Sequence, residues 1–330
     1  MYNVAVVGAT GAVGQKMIDV LTEYEFPINE LLLYASARSA GQTIDVNGRT
    51  VVIRELTDGI YADPIDIALF SAGGSISEQY APRLSEQGTI VIDNSSAFRM
   101  QEGIPLIVPE VNRIDLSQEK TLIANPNCST IQSVVALAPL SEVYGLTRVA
   151  YTSYQAVSGS GQKGIEDLER GARGEDPQNY PYPIYDNVLP HIDVFLEDGY
   201  TKEEQKMIEE TRKILNRPTL GVTATCVRVP VRNSHAVSIT VTLERDASVE
   251  EVRAVLADAP GIVLMDRPSE LVYPTPLDAN GTDAVYVGRI RRDTSQPNTF
   301  HLWCVADNVR KGAAANAVQI AQCMVGQTTK

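Results

Sequence analysis

The stretch NVAVVGATGAVGQKMIDVL, residues 3–21, constrains the fold more than any other: a β-branched apolar run breaks at a glycine and gives way to apolar positions at helical spacing. Gly8, Gly11 and Gly14 stand at that break, where backbone without side chains lets a pyrophosphate approach the start of a helix. The spacing is G-x-x-G-x-x-G, a variant of the usual dinucleotide fingerprint, and the plain alternative is a tight turn that needs glycine and binds nothing. The pattern continues along the first half. ELLLYAS, DIALFSAG, TIVIDNS and TLIAN read as further buried strands, with AVGQKMIDVLTEY and SEQYAPRLSEQG as helices between strands. Such alternation implies βαβ units and a mainly parallel, Rossmann-type sheet.

Past Cys128 the texture changes. A long helix from about Ser129 to Tyr144 leads into the strand TRVAYTSYQAVSG, a Pro/Tyr/Asn-rich loop from about Gly174 to Pro190, and a charged helix from Lys202 to Leu215. VTATCVRVPV, AVSITVTLE, DAVYVGRIRR and TFHLWCVAD then alternate as strands do, so an α+β domain with a mainly antiparallel sheet is expected. The Ala-rich KGAAANAVQIAQCMV carries apolar residues at helical spacing and is expected to pack back on the first domain. The expected division is therefore 1–127 completed by a C-terminal helix, 311–330, and 128–310 as a catalytic and dimerisation domain.

A chain of 330 residues, 44% hydrophobic and 21% charged, can bury two such cores without staples. The opening MYNVAVVGATG lacks a basic start and a small-residue cleavage site, and no apolar run is long enough to span a bilayer, so a cytoplasmic protein is expected. Four separated cysteines form no C-x-x-C pair, and three histidines show no i, i+4 spacing, so neither disulfides nor a metal site is expected. A net charge of −13 opposes adhesion to nucleic acid or anionic lipid, so any anionic ligand must be held by local cations.

The second strand, LLLYASARSAG, bears on which dinucleotide binds. An NAD site usually places an acidic residue near the end of this strand, whereas Ser36, Arg38 and Ser39 stand there, and Arg38 suits the extra phosphate of NADP. Thr10, Ala12 and Val13 between the glycines, and Ser71, Ala72 and Gly73 in the later turn FSAGGSIS, are expected to line the same cleft.

At the other end of the chemistry stands LIANPNCSTIQSVVALAPL. Its lone Cys128 falls where a strand hands over to a helix, and unpaired N–H groups and the helix dipole at such a start favour a thiolate. A small buried hydrophobe is the competing role for an isolated cysteine. GATGAVG, SSAFRM, NPNCST, YQAVSGSG, the E-x-K of EEQKM and CVRVPVRNSHAVS, taken together and in order, resemble the aspartate-semialdehyde dehydrogenase family from end to end. NVLPHID is similar to one branch of it.

The resemblance implies an NADPH-dependent enzyme that reversibly converts L-aspartyl 4-phosphate to L-aspartate 4-semialdehyde and phosphate through a cysteine thioester, in lysine, threonine, methionine and diaminopimelate biosynthesis. It implies Cys128 as nucleophile, His235 as acid/base and Gln155 as the residue that orients the intermediate. It assigns Arg228 to the substrate carboxylate, Glu204 to its ammonium, and Arg99, Asn127 and Lys206 to phosphate. Ser158, Gly159 and Asn308 are implied near the nicotinamide, and the chain is implied to form at least a homodimer. Glu204 and Lys206 also fit a solvated helix rich in i, i+4 ion pairs, and being two residues apart they point different ways. The rival readings are an N-acetylglutamyl-phosphate reductase, whose neutral substrate nitrogen leaves Glu204 without a role, and a catalytically idle NADP-binding protein.

Overall fold

The computed structural model describes residues 1–327, and the backbone divides into two compact units, Met1–Pro126 with the chain from Ala313 onward, and Asn127–Gly312. The last three positions of the segment expected as a helix over 311–330 lie outside the described residues. No helix among the described residues is long and apolar enough to cross a membrane.

The first unit runs β1 (Tyr2–Val7), α1 (Ala12–Glu23), β2 (Ile28–Ala35), β3 (Thr43–Val46), β4 (Arg49–Glu55), β5 (Ile67–Phe70), α2 (Gly74–Glu86), β6 (Ile90–Asp93), α3 (Pro109–Asn112) and β7 (Leu122–Ala124). Its sheet has the order β3-β4-β2-β1-β5-β6-β7, parallel throughout except for the β3–β4 hairpin at one edge. Val4 to Val7 and Ile67 to Phe70 are wholly buried. Their unbroken apolar runs fit central parallel strands covered on both faces. On α1, Met17, Ile18 and Leu21 face the core, each burial contributing about 1.5–3 kcal/mol. A C-terminal helix, Ala315–Met324, packs against α1 and β6 within this unit. It begins after a π-helical turn, Arg310–Ala314, and not directly at Lys311.

Chain order reverses direction across the sheet at β1, which has β2 on one side and β5 on the other. A crevice at the carboxyl ends of two such strands is where open α/β sheets bind ligands. The loops leaving β1 and β5 meet there: a Cβ on Gly8, whose φ is +90°, would lie 2.6 Å from the Ser71 carbonyl oxygen. Gly14 is equally constrained, since a Cβ would fall 2.1 Å from the carbonyl oxygen of Gly8.

The second unit contains α4 (Cys128–Tyr144), β8 (Leu146–Gln155), α5 (Gln162–Ala172), α6 (Lys202–Ile214), β9 (Gly221–Arg228), β10 (His235–Leu243), α7 (Val249–Ala257), β11 (Ile262–Leu264), α8 (Pro276–Ala279), β12 (Val285–Arg292) and β13 (Thr299–Ala306). Its sheet, β11-β12-β13-β10-β8-β9, is antiparallel in the middle and parallel in the pair at each edge. Ile131, Val134, Val135, Leu137 and Leu140 of α4 are buried on several sides, as an almost uniformly apolar helix must be, and α4 packs on β10, β8 and β13. Gln155 and Arg228 are register partners at the ends of the parallel strands β8 and β9. His235 opens the antiparallel strand β10, whose next residue pairs with Tyr154, so all three reach the same end of the sheet.

Candidate active site

Cys128 is the first residue of α4 and is partly exposed. Asn127 caps the helix: its Oδ1 accepts from the N–H groups of Ser129 (2.9 Å) and Thr130 (3.3 Å). Its own N–H donates to Glu210 Oε2 (2.7 Å) and its Nδ2 to Glu203 Oε1 (2.8 Å), so α6 holds the turn before the cysteine from two sides. Gly312 keeps space beside the thiol, because a Cβ there would lie 2.8 Å from Cys128 Cβ.

Glu203 is the hub of the acidic side. Gln155 Nε2 donates to Glu203 Oε1 and to Ser153 Oγ, both at 3.2 Å, which leaves the Gln155 carbonyl as its acceptor. Lys206 Nζ reaches Glu203 Oε2 (3.2 Å) and Asp193 Oδ2 (2.8 Å). Burial disfavours the Lys206 charge, yet the two carboxylates outweigh it and hold the amine above its ordinary range.

Glu204, expected at the substrate ammonium, has both carboxylate oxygens on backbone amides. It closes a capping box at the start of α6, with Oε2 accepting from Thr201 N–H (2.7 Å) and Oε1 from Cys226 N–H (2.9 Å). With both oxygens on backbone amides, it is Glu203, three residues before Lys206 on the same helical face, that meets Asn127, Gln155 and Lys206.

Arg228 is buried, with Nη1 donating to the Ala156 carbonyl (2.7 Å) and Nε lacking any hydrogen-bond partner among the described residues. An orphaned donor on a buried cation is costly unless a ligand anion completes it. His235, 0% exposed, accepts the Ala156 N–H at Nδ1 (3.0 Å), and its Nε2 also lacks a partner among the described residues. Burial first, and then the Arg228 charge, push the imidazole well below its usual range, against a smaller opposing effect of the Ser234 backbone. Gly159 lies over both groups: a Cβ would come within 2.8 Å of Arg228 Nη1 and 3.2 Å of His235 Nε2. Any side chain at 159 would fill the space that those two groups face.

Asn308 holds the turn between these groups, its Oδ1 accepting from Ser234 N–H (2.9 Å) and its Nδ2 donating to Ser158 Oγ (3.0 Å). Ser158 Oγ donates in turn to Asn233 Oδ1 (2.9 Å). The two buried thiols, Cys226 and Cys304, differ sharply from Cys128 in setting. Burial pushes Cys304 up to about 12 and Cys226 higher still, with Glu203 adding to the latter, so neither supplies a thiolate at neutral pH.

In the first unit, the N-cap of α1 is Gly11, after Thr10 and before Ala12 and Val13, and it gives the first N–H groups of the helix no side-chain cap. The start of α2, after Ser71, Ala72 and Gly73, is likewise uncapped by a side chain. Ser36 and Arg38 are exposed beyond β2, whereas Ser39 is buried in the turn, its N–H on the Ser36 carbonyl. Arg99 is buried, with Nε on the Asn125 carbonyl (2.9 Å) and Nη2 on that of Asn94 (3.0 Å). Sequence reasoning missed Glu203, Glu210 and Ala156. Thr201-x-x-Glu204 is a capping-box signature that would have claimed Glu204 and redirected attention to Glu203.

Residues 3–119 match the family model of the semialdehyde dehydrogenase NAD binding domain, and residues 137–311 that of the semialdehyde dehydrogenase dimerisation domain. The chain is 51% identical to an aspartate-semialdehyde dehydrogenase of Aquifex aeolicus, over 98% of each chain. It is 47% identical to that of Bacillus subtilis, over 98% of this chain and 97% of the other. Aspartate semialdehyde dehydrogenase II of Vibrio cholerae in a crystal structure complexed with ASA is similar at 46% identity and a TM-score of 0.94, over 99% of this chain and 98% of that one. A Candida albicans aspartate semialdehyde dehydrogenase with NADP is similar at 25% identity and a TM-score of 0.76, over 98% of each.

Proposed function

The chain belongs to the aspartate-semialdehyde dehydrogenase family, and on that premise we propose that it makes and breaks a thioester at Cys128 with NADP as its hydride carrier. The reaction is the reversible reductive dephosphorylation of L-aspartyl 4-phosphate to L-aspartate 4-semialdehyde, a step of amino-acid biosynthesis. The observation that carries the residue assignment is the convergence of Gln155, Arg228 and His235 at one sheet end, with an unpartnered buried donor on two of them.

The glycine loop suits a dinucleotide, because Gly8 and Gly14 admit no Cβ and the start of α1 has no side-chain cap. When bound, the nicotinamide supplies the hydride that the acyl carbon gains or loses. Exposed Arg38, whose neighbours in the chain from Ser36 to Ser39 include no acidic residue, supports NADP over NAD. Cys128 acts as thiolate nucleophile and the Gln155 carbonyl orients the bound acyl group. Arg228 takes the substrate carboxylate through its unused guanidinium edge, and Glu203 takes over the ammonium role expected of Glu204. Lys206, the second amide hydrogen of Asn127 and Arg99 are assigned to phosphate, Arg99 on resemblance alone. A cytoplasmic homodimer completes the proposal, supported by the match to a dimerisation domain.

Reduction of NADP by L-aspartate 4-semialdehyde, followed with and without inorganic phosphate and repeated with NAD, tests this reading. Sustained turnover should need phosphate and favour NADP, and Cys128→Ala should abolish turnover while NADP still binds. Phosphate-independent turnover, an active Cys128→Ala variant, or faster turnover of the N-acetylglutamyl substrate would each overturn it.

A further inference from the structure

We propose that Asp193 sets the charge balance of the substrate site: it shares the Lys206 ammonium with Glu203, which keeps Glu203 open to the substrate ammonium and moderates the hold of Lys206 on phosphate. The proposal rests on the roles given to Glu203 and Lys206 above and adds a positioning residue that acts through both.

NVLPHID ends at Asp193, and the segment touches two of the cations assigned to the substrate. At one end, Leu189 exchanges both backbone hydrogen bonds with Arg228, its N–H donating to the Arg228 carbonyl at 2.9 Å and its carbonyl accepting from the Arg228 N–H at 2.8 Å. At the other, Asp193 Oδ2 accepts from Lys206 Nζ at 2.8 Å. Between them Ile192 is buried, and His191 stacks on Phe195 with ring centroids 4.4 Å apart, so the segment is pinned along its length. Asp193 adopts φ +67°, a left-handed conformation that Asp and Asn tolerate, and its Oδ1 accepts the Val194 N–H at 2.9 Å. The chain then doubles back, the Val194 carbonyl taking the Lys202 N–H at 2.9 Å as α6 opens. The backbone therefore fixes where the carboxylate stands relative to Lys206.

An ammonium has three donors and no acceptor. Lys206 gives one to Asp193 and one, at 3.2 Å, to Glu203 Oε2, which leaves one for phosphate. Glu203 Oε1 already accepts from Asn127 and Gln155, so Oε2 is the oxygen that Lys206 and the substrate ammonium must share. Burial works against the Asp193 charge, but the Lys206 ammonium and the Val194 N–H outweigh it and hold the carboxyl below its usual range, so the residue is anionic near neutral pH. Two carboxylates on one amine leave an excess of negative charge, which attracts the substrate ammonium and opposes phosphate. Without the Asp193 charge, the amine leans on Glu203 alone among the described residues. Glu203 is then neutralised at the oxygen that the substrate ammonium needs, while an anion that opposed phosphate is gone. The two substrates, one bearing an ammonium and the other wholly anionic, are affected in opposite senses.

Steady-state kinetics of NADP reduction by the full-length chain, with L-aspartate 4-semialdehyde and inorganic phosphate varied in turn, test this. Asp193→Asn keeps the left-handed turn and an oxygen for the Val194 N–H while removing the charge. It should raise KM for L-aspartate 4-semialdehyde and lower KM for phosphate. With the Asp193 side chain 32% exposed, its charge is partly screened, so each shift should be about three- to fivefold. Asp193→Gly, which accepts φ +67° without strain, should repeat both shifts. KM values that move in the same direction, as damage to the site as a whole would move them, or that do not move in either variant, overturn the proposal. A wild-type chain that fails to turn over L-aspartate 4-semialdehyde would remove the reaction itself, whereas normal turnover with parallel KM shifts in the variants would remove the role of Asp193 alone.

Discussion

The starts of α1 and α4 pose the same physical problem and solve it oppositely. Each helix follows a parallel strand of β-branched and small apolar residues, and each exposes several N–H groups with no partner in its own first turn. At α1 the N-cap is Gly11, without a side chain to take those donors. At α4 the cap is Asn127, which takes two of them and is itself gripped by Glu203 and Glu210. On the proposed function, the difference follows from what each end must hold. A diffusing anion needs donors kept available, while a nucleophile that belongs to the helix needs a turn that stays still, with the dipole acting on phosphate in the first case and on sulfur in the second.

Substitutions at the two starts sharpen this contrast. The largest effect is expected from Gly14→Val, where the new Cβ meets the Gly8 carbonyl oxygen at 2.1 Å. Overpacking of that kind costs about 3 kcal/mol, so thermal melts should show a strongly destabilised chain that no longer binds NADP. An unchanged melting temperature would mean that α1 does not lie against its loop as described. Asn127→Ala comes next, with about 1–2 kcal/mol lost from the cap and a lower kcat, because the turn ahead of Cys128 loses its link to Glu203. Loss of stability with kcat intact would make the cap purely structural. The smallest stability change is expected from Gly11→Ser. At φ −75° and ψ 158° the position accepts any residue, and the serine hydroxyl should stabilise the cofactor-free chain by about 0.3 kcal/mol. Calorimetric titration should nonetheless show NADP binding weakened about tenfold, as a donor is withdrawn from the phosphates. Tighter binding would show that the two starts do not differ in the way described.

Much of the fold is legible in the chain because buried parallel strands leave unbroken apolar runs and amphipathic helices leave a repeat near 3.6. TIVIDNS and AVGQKMIDVLTEY carry those patterns and fold accordingly. The β3–β4 hairpin was missed although Asn47-Gly48 between TIDV and RTVVIRE is a two-residue turn signal, because its alternating strands are half-exposed and lack the apolar run that marks the others. Helix α5 hides behind the glycines and serines of VSGSG, and its position depends on Asp167, which gathers the N–H groups of Gln178, Asn179 and Tyr180 from the following loop. Such a clasp has no periodic signature. At the site, neighbouring helical positions differ by about 100° in direction, and the capping contact that turns Glu204 to backbone amides while Glu203 meets Asn127, Gln155 and Lys206 is not expressed by the E-x-K spacing. The relation of Gly159 to His235 and Arg228 arises only when three strand ends meet, and no local pattern encodes it.

Ala156 has a consequence for how such a site is dissected. An alanine scan passes over this position in silence, since the residue is already alanine and the atoms that matter belong to its peptide units. Side-chain mutagenesis therefore credits the histidine and the arginine with an alignment that the two peptide units flanking Ala156 impose, one on each. Replacing the amide between Gln155 and Ala156 by an ester, which deletes the hydrogen given to His235 and leaves every side chain and the carbonyl on Arg228 in place, is the change that would expose the histidine's share.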